Sequence, residues 1–400
     1  SGAIMAADNV LAIFLLPLFG SISDRCSSKM GRRKPFILFG TVVSVILMIF
    51  IPIMDNSYFK APSAGKTALF IIILGALLVA MGTYRSPAVA LMPDVTPKPL
   101  RSKGNAVINL MGALGGILYL VISAVMYSKS KTEGLSHVDY LPIFVIVGGI
   151  MILALLILLF TVDEVKLTNE VAEYEKAHPE EDLTVNDGKG NQELPKEVKR
   201  SLTFLLFSIA LWFISYNAVE TWFTTYANRM WGMALGNANT CLLVANAGAI
   251  LSYIPIGAIA SKIGRKKTIL SGVIIMTADF AILFAYTYLV GEFSYALFIL
   301  FFLLGLAWAG INVNSLPMVL EMCKGSDIGK FTGYYYTFSM AAQIVTPILA
   351  GFLLRNVSYS ILFIYAAVFM GAALITMLNV RHGDSKVIDK KGLEAFDVED

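Results

Sequence analysis

Residues 20–38, which read GSISDRCSSKMGRRKPFIL, form a short basic hinge between two long apolar runs. A second, degraded copy of this hinge reads GAIASKIGRKKTIL and covers residues 257–270. When Gly31 is aligned with Gly264, the apolar runs on both sides of the two copies superpose as well. Because an internal repeat reflects the architecture of a chain, the sequence predicts two related halves.

The composition places most of the chain in lipid. Its 400 residues are 57% hydrophobic and only 15% charged, whereas soluble domains carry about a quarter charged residues. A soluble core could not bury so much apolar surface. The three cysteines, Cys26, Cys241 and Cys323, lie far apart, which argues against a disulfide framework or a zinc site. We therefore expect no metal site and no cofactor.

Eleven apolar stretches are long enough to span a bilayer, which takes about 20 residues. Five precede a long polar segment and six follow it: 3–22, 35–54, 67–92, 104–127 and 140–162, then 201–230, 238–263, 268–290, 293–322, 328–354 and 358–380. Lys and Arg concentrate in alternate connections, beginning with the hinge, and such loops mark the cytoplasmic side. We therefore expect the C-terminus inside and Ser1 outside. An odd number of spans with this orientation predicts a further helix before Ser1, as in a fragment or processed form of a twelve-helix protein.

The polar segment divides the sequence into four parts. Residues 1–162 are predicted to form an N-terminal helical bundle and 201–380 a C-terminal one. Between them, residues 163–200 are rich in Glu and Asp, which predicts a solvated cytoplasmic linker with a short surface helix near 170–176. Residues 381–400 are polar and predict a cytoplasmic tail.

The order of residues in the hinge predicts a gate at the inner membrane surface. Asp24 can pair with the basic cluster, and such a pair can hold two helices together in one conformation and release them in another. The predicted gate residues are Gly20, Asp24, Arg25, Gly31, Arg32 and Arg33. The alternative is that Lys and Arg only keep the loop inside. In the second copy Ser261 and Lys262 replace Asp24 and Arg25, which predicts a weaker latch or a merely topological one.

The pattern G-x3-D-R followed by G-R-R in residues 20–33 resembles the loop motif of the major facilitator superfamily of secondary transporters. Its longer form, SDRCSSKMGRRKPFIL, is similar to the sucrose–proton symporters and their bacterial relatives, within the glycoside–pentoside–hexuronide transporters. Residues 86–116 and 311–352 also resemble bacterial members, so the resemblance covers essentially the whole chain. It implies an all-α membrane protein with the major facilitator fold, two helical bundles around a central cavity, whose first helix is missing here. It makes sugar–cation symport the leading activity.

The resemblance also bears on the coupling ion. Sodium-coupled melibiose-type relatives carry two acids one turn apart in the helix before the hinge, where this chain has Ala12 and Leu16. The lack of both acids favours protons over sodium.

Ionisable side chains inside a bilayer are costly and are therefore functional candidates. Asp8 shares a helical face with Ala12, and Glu220 shares one with Asn217 in the aromatic stretch YNAVETWFTTY. We predict Asp8 or Glu220 as the proton acceptor and Arg85 as its charge partner or a sugar ligand. The alternative for both acids is a position near the outer membrane boundary.

Two other acids are expected to be structural. Asp94 lies near the inner surface, where it can cap a helix or pair with Arg101 or Lys103. Asp279 lies mid-span, in a helix that the resemblance makes peripheral.

Amide and aromatic side chains recur at helical spacing in several spans. One such stripe usually joins neighbouring helices, but several stripes on different helices predict a polar central cavity. The substrate-binding candidates are Asn9, Asn105, Asn109, Asn217, Trp222, Asn246, Trp308, Asn312 and Gln343. For Asn105 and Asn109, a hydrogen bond to a neighbouring helix is an equal alternative.

These features predict a secondary active transporter in the cell membrane that moves a disaccharide or glucoside with protons by alternating access. Two alternatives stay open. A proton-coupled exporter of amphipathic compounds would have a more apolar cavity, and a non-transporting membrane sensor would have lost its coupling residues. An enzyme is disfavoured because the sequence contains no nucleotide loop and no paired histidines, and topology explains the basic clusters without nucleic acid.

Overall fold

The computed structural model of the protein describes residues 2–127, 136–177, 194–233, 235–323 and 327–384. Residues 178–193 of the predicted linker and 385–400 of the predicted tail lie outside this part. The helices are α1 (Gly2–Asp24), α2 (Lys34–Lys60), α3 (Ala64–Asp94), α4 (Arg101–Met126), α5 (Leu141–Thr161), α6 (Glu164–Ala177), α7 (Lys196–Trp231), α8 (Leu235–Ile263), α9 (Arg265–Leu289), α10 (Ala296–Leu320), α11 (Ile328–Asn356) and α12 (Leu362–Leu378). Two 3-10 turns, Lys98–Leu100 and Tyr359–Ile361, precede α4 and α12.

The helices coincide with the predicted spans. Each predicted apolar stretch falls on one helix, α1–α5 or α7–α12. Within the described residues, ten helices are long and apolar enough to cross a membrane, and α1 contributes a shorter apolar helix, Leu11–Asp24. Large apolar side chains such as Phe160 and Leu289 are more than four-fifths exposed at 86% and 83%, which suits contact with lipid. The prediction of an all-helical membrane protein is confirmed.

Part of the polar segment between α5 and α7 forms helix α6, which includes the predicted surface helix. Glu175 of α6 lies 4.0 Å from Lys98 and 3.9 Å from Arg101, which places α6 against the turn before α4. Residues 178–193 of the predicted linker lie outside the described residues. Helix α7 begins at Lys196, before the predicted start of the next span.

The helices pack as two groups. In the first, α2 contacts α3 and α5, and α1 contacts α3; in the second, α7 and α9 contact α12, and α8 and α9 contact α10. The groups meet where α1 lies against α11 and α4 against α8, with further contacts between α3 and α11 and between α4 and α10. We call the end of the helices that carries residues 25–33 and Gly264 the hinge side.

Small residues let the two groups approach closely on the hinge side. Gly20 of α1 faces Gly329 of α11, and a Cβ added to Gly20 would collide with the Gly329 carbonyl group. In the second helix pair, a Cβ added to Gly257 of α8 would lie 2.9 Å from the Cβ of Ala106 in α4. Close approach at small residues is a common way for membrane helices to associate.

The two hinge copies also share a backbone feature. Gly31 has a φ of 101° and Gly264 a φ of 96°, in the left-handed region that favours glycine. At each of these glycines the chain turns into the next helix, α2 or α9. The repeat found in the sequence is therefore present in the backbone.

Candidate functional site

Arg33 is the centre of a buried ion-pair network at the first hinge. Its Nε donates to Oδ2 of Asp94 and its Nη2 to Oδ1 of Asp24, both at 2.7 Å, and its side chain is fully buried. The predicted pairing of Asp24 with the basic cluster is confirmed. The predicted pairing of Asp94 with Arg101 or Lys103 is wrong, because the buried guanidinium of Arg33 takes this carboxylate.

Asp24 also joins the two helix groups. Its Oδ1 accepts a hydrogen bond from the backbone N–H of Gly329, and its Oδ2 accepts one from Lys330, both at 2.9 Å. These N–H groups lie in the first turn of α11, where they lack partners within the helix and where the helix dipole favours an anion. One carboxylate therefore holds α1 to α11 while it pairs with Arg33.

The other two arginines of the predicted gate lie at the edge of this network. Arg32 Nη2 lies 3.6 Å from Oδ1 of Asp94. Arg25 is exposed and makes no ion pair with any residue in the described ranges. Of these two arginines, only Arg32 contacts the Arg33 network in this conformation.

A second buried arginine, Arg265, joins the groups at the other hinge. Its Nη1 donates to Oε1 of Glu321 and its Nε to Oγ of Ser102, both at 2.8 Å, while Nη2 donates to the backbone carbonyl of Lys98. Glu321 also lies 3.6 Å from Nη1 of Arg101. Glu321 at the end of α10 thus supplies the acid that the second hinge itself lacks. That the second copy is a weaker latch or a merely topological one stays a prediction.

Two carboxylates hold the backbone of the hinge turns. Glu164 accepts the N–H groups of Arg32 and Arg33 on Oε1, at 2.6 and 2.9 Å. Asp384 accepts the N–H of Arg265 on Oδ1 at 2.6 Å. Each acid follows the last spanning helix of its group, α5 or α12, so the repeat extends to both of them. Sequence reasoning did not single out either residue, because each acid lies more than a hundred residues from the backbone N–H group that it accepts.

Further from the hinge side, an amide ladder connects α4 to α10. Asn105 Nδ2 donates to the carbonyls of Val313 at 2.8 Å and Asn312 at 3.2 Å. Asn312 Nδ2 donates to Oδ1 of Asn109 at 3.3 Å. Asn105 is only 4% exposed, so it joins helices in this conformation, whereas Asn109 and Asn312 keep part of their surface accessible.

An aromatic pair lies beside two unpaired polar groups on α7. The rings of Tyr216 and Trp308 stack with centroids 4.0 Å apart and planes 4° from parallel. Glu220, one turn after Tyr216, is exposed and makes no hydrogen bond or ion pair within the part of the chain that the structure describes. Nδ2 of Asn217 is buried without a hydrogen-bond partner among the same residues. These groups suit a ligand with hydroxyl groups and one apolar face.

Arg85 lies on α3, in the first helix group. Its guanidinium carbon is 5.8 Å from the ring centroid of Tyr336 on α11. Arg85 makes no ion pair with a described residue, so the predicted charge pair with Glu220 is not formed in this conformation. The side chains of the other two candidates, Asp8 and Asn9, lie outside the described residues.

Three further candidates are not joined to the amide ladder. The ring of Trp222 lies where a Cβ on Gly351 of α11 would be, and its Nε1 is buried with no hydrogen-bond partner in the described chain. Asn246 is exposed on α8 and Gln343 is half-buried on α11. The structure therefore groups Asn105, Asn109 and Asn312 on the one hand, and the Tyr216–Trp308 pair with Glu220 and Asn217 on the other.

A family model described as MFS/sugar transport protein matches residues 1–323. The chain belongs to this family. Its description names the superfamily that the hinge motif resembles, so the predicted relationship is confirmed.

Curated relatives match a shorter segment of the chain. The chain is 34% identical over 121 residues to the sucrose transport protein SUC3 of Arabidopsis thaliana, and this match covers 27% of the chain and 20% of that protein. It is 28% identical over 127 residues to the proton-associated sugar transporter A of Mus musculus, which covers 30% of this chain and 17% of that protein. The chain thus matches about a fifth of the length of these relatives.

Solved structures are similar over nearly the whole chain. The proton:xylose symporter XylE bound to 6-bromo-6-deoxy-D-glucose has a TM-score of 0.65 at 14% identity, covering 95% of this chain and 87% of that one. The transporter FucP in the outward conformation has a TM-score of 0.63 at 12% identity, covering 95% and 90%. At this identity the likeness shows the fold alone. It is the predicted major facilitator fold.

Proposed function

We propose that this chain is a secondary active transporter that moves a sugar, such as a disaccharide or a glucoside, together with protons. The observation that carries this proposal is the position of Glu220 and the Asn217 amide beside the stacked Tyr216 and Trp308 rings, with no polar partner for either group among the described residues. Aromatic faces pack against the apolar face of a sugar ring, and carboxylate and amide groups bind its hydroxyls. A cavity for amphipathic compounds has less use for such groups.

The names of the relatives support the same substrate class and ion. They include sucrose transport proteins and a proton-associated sugar transporter, and a similar solved structure is a proton:xylose symporter. Sodium is disfavoured by the residues of α1. Ala12 and Leu16 are buried against Met340 of α11, an apolar contact that offers no oxygen ligand to a hard cation.

In the proposed cycle, the two halves, 1–162 and 201–380, rock against each other around a site near the membrane midplane. Asp24 of the first half is hydrogen-bonded to α11, and Arg265 of the second half donates to Ser102 and Lys98 of the first, so this conformation is closed on the hinge side. We assign the hinge side to the cytoplasm of the cell membrane because it carries the basic connections. The site then faces the outside in this conformation, and breaking both latches opens it to the inside.

Glu220 is the proposed proton acceptor and Asp8 the second candidate. A protonated carboxyl group can donate a hydrogen bond to a sugar oxygen as well as accept one, so proton and sugar favour each other's binding. Arg85 binds the sugar or, after a change of conformation, pairs with the ionised acid. The amide ladder supplies Asn109 and Asn312 as further sugar ligands when the halves separate.

The test is proton movement in proteoliposomes that contain the full-length protein. Sucrose, maltose and other glucosides are added one at a time outside, with and without sodium. We expect one of them to make the outside medium more alkaline at the same rate in both salts. A sugar-dependent signal that requires sodium would overturn the assignment of the ion. No signal with any sugar, together with efflux of amphipathic cations, would replace symport with the exporter.

A further inference from the structure

A polar cavity of about 140 Å³ lies outside the central site, between the start of α7 and the segment that follows α12. Its lining consists of Glu197, Arg200, Ser201, Asn379, Arg381 and His382. The cavity lies on the hinge side, because Asp384 in the same segment caps the start of α9. Its volume is several times the roughly 30 Å³ that one water molecule occupies in the liquid, so a tetrahedral oxyanion fits.

The two arginines of this cavity have no acidic partner among the described residues. Arg200 lies over the ring of Phe204, with its guanidinium carbon 5.7 Å from the ring centroid. Neither Arg200 nor Arg381 forms an ion pair with any residue for which the structure gives a position. The buried arginines of the hinge side, Arg33 and Arg265, each pair in contrast with at least one carboxylate. Among the described lining residues there are one acid, Glu197, and two arginines, so this part of the lining carries a net charge of about +1 when the histidine is neutral.

Neutral donors complete the lining. The buried Oγ of Ser201 lies 2.8 Å from Nδ1 of His382 and accepts the backbone N–H of Arg381 at 3.2 Å. These two contacts hold the loop after α12 against α7. Where Nδ1 accepts the hydroxyl proton, Nε2–H of the ring is a donor. The two guanidinium groups, the imidazole of His382 and the side-chain amide of Asn379 match the chemistry of a phosphate group, which arginine binds through paired N–H groups.

The cavity also lies at the depth of a lipid headgroup. Ser201 marks the point where the charged start of α7 gives way to an apolar run, and α12 ends its own apolar run at Leu378. Basic pockets between membrane helices at this level bind anionic headgroups. The first turn of α7 adds the positive end of a helix dipole.

We propose that this cavity binds a phosphate group, either in the headgroup of an anionic phospholipid or as free phosphate. The bound group bridges the first and last helices of the second half. The site is separate from the transport cavity, so this proposal does not depend on the sugar or on the coupling ion.

The experiment measures the melting temperature of the full-length protein in a neutral detergent. Phosphatidylglycerol, phosphatidylcholine and inorganic phosphate are titrated separately. We expect saturating phosphatidylglycerol or phosphate to raise the melting temperature by about 2 °C or more. The double variant Arg200→Gln/Arg381→Gln should lose this shift. Glu197→Gln should reach half of the shift at a lower ligand concentration, because it removes the one like charge.

Arg355→Gln is the matched control. Arg355 is an exposed arginine in the last turn of α11, at the end of that helix away from the hinge side. A shift with phosphatidylglycerol alone assigns the site to a lipid, and a shift with inorganic phosphate as well assigns it to the free anion. An equal shift with phosphatidylcholine, an unchanged shift in the double variant or no shift with either anion would each overturn the proposal.

Discussion

Asp24 makes more hydrogen bonds than a hinge residue would need if its only role were to fix the membrane topology. One carboxylate accepts from the Arg33 guanidinium and from the N–H groups of Gly329 and Lys330, so it links two helices of different halves. Asp24→Asn removes its charge and one of its acceptors. We expect the variant to lose about 1–3 kcal/mol of stability, the cost of leaving buried partners unsatisfied, and to open the hinge side more often.

Cys323 reports this opening. It is 8% exposed, at the end of α10 between the two latches. In a Cys26→Ser background, Asp24→Asn should raise the rate of maleimide labelling of Cys323 in detergent. Asp163→Asn is the control, because Asp163 is an exposed acid at the start of α6. Equal labelling rates in the two variants would mean that Asp24 does not close the hinge side.

Asp279 differs from Asp24 because its carboxylate has no hydrogen-bond partner among the described residues. It is 3% exposed in α9, and neither carboxylate oxygen has a hydrogen-bond partner among the residues that the structure describes. A buried polar group without partners costs stability. Asp279→Leu should therefore raise the melting temperature, by about 2–4 °C for each kcal/mol gained. Glu321→Gln should lower it, because Glu321 pairs with Arg265 and Arg101. A loss of transport in a stabilised Asp279→Leu variant would show that this acid serves function.

At the residue scale, the sequence predicts which groups are charged in the membrane but not all of their partners. Asp24 and its basic neighbours are close in sequence, so their pairing could be predicted. Glu164 lies more than a hundred residues from the hinge backbone that it caps, and Glu321 belongs to a different helix from Arg265. Only the packing of the helices brings these groups together, and hydropathy carries no information on it.

At the scale of the helices, α1 and α11 form a contact that depends on the absence of side chains. A Cβ on Gly20 would meet the backbone of Gly329, which cannot move aside as a flexible side chain can. Gly20→Val should therefore separate the two helices on the hinge side. We expect normal insertion, faster labelling of Cys323 and loss of sugar accumulation. Gly75→Ala is the matched control, because nothing lies within 4 Å of an added Cβ at Gly75. Slow labelling in Gly20→Val would contradict this packing.

Helix identity could be predicted from the sequence, while helix ends could not. Each apolar run gave one helix because a run of this length in lipid must satisfy its own backbone. An apolar run does not include the polar turns with which a helix can begin or end. Helix α7 starts at Lys196, although its apolar run starts at residue 201. The polar segment predicts a short helix near 170–176, whereas α6 begins at Glu164 and ends at Ala177.

At the scale of the whole molecule, the fold separates the groups proposed to close the hinge side from the groups proposed to bind the substrate. The latches at Asp24 and Arg265 lie on the hinge side, whereas Glu220 and the Tyr216–Trp308 pair lie further along α7 and α10. Coupling requires that binding of sugar and proton near Glu220 changes how stable the hinge-side contacts of Asp24 and Arg265 are. The amide ladder between α4 and α10 connects them, since these two helices also carry Ser102 and lead to Glu321.

Glu220→Gln tests this coupling in the whole protein. A pH gradient of one unit is worth about 1.4 kcal/mol, so one proton per sugar supports roughly tenfold accumulation in wild-type proteoliposomes. The glutamine keeps the size of the side chain and its hydrogen bonding but binds no proton. We expect accumulation to fall to about equality across the membrane, while exchange of labelled for unlabelled sugar continues. Glu292→Gln, an exposed acid of the loop before α10, should accumulate as the wild type does. Full accumulation in Glu220→Gln would pass the proton to Asp8, and full accumulation in Asp8→Asn as well would sink the proton assignment. Loss of exchange together with accumulation would instead make Glu220 a sugar ligand, because exchange needs binding and rocking but no net proton movement.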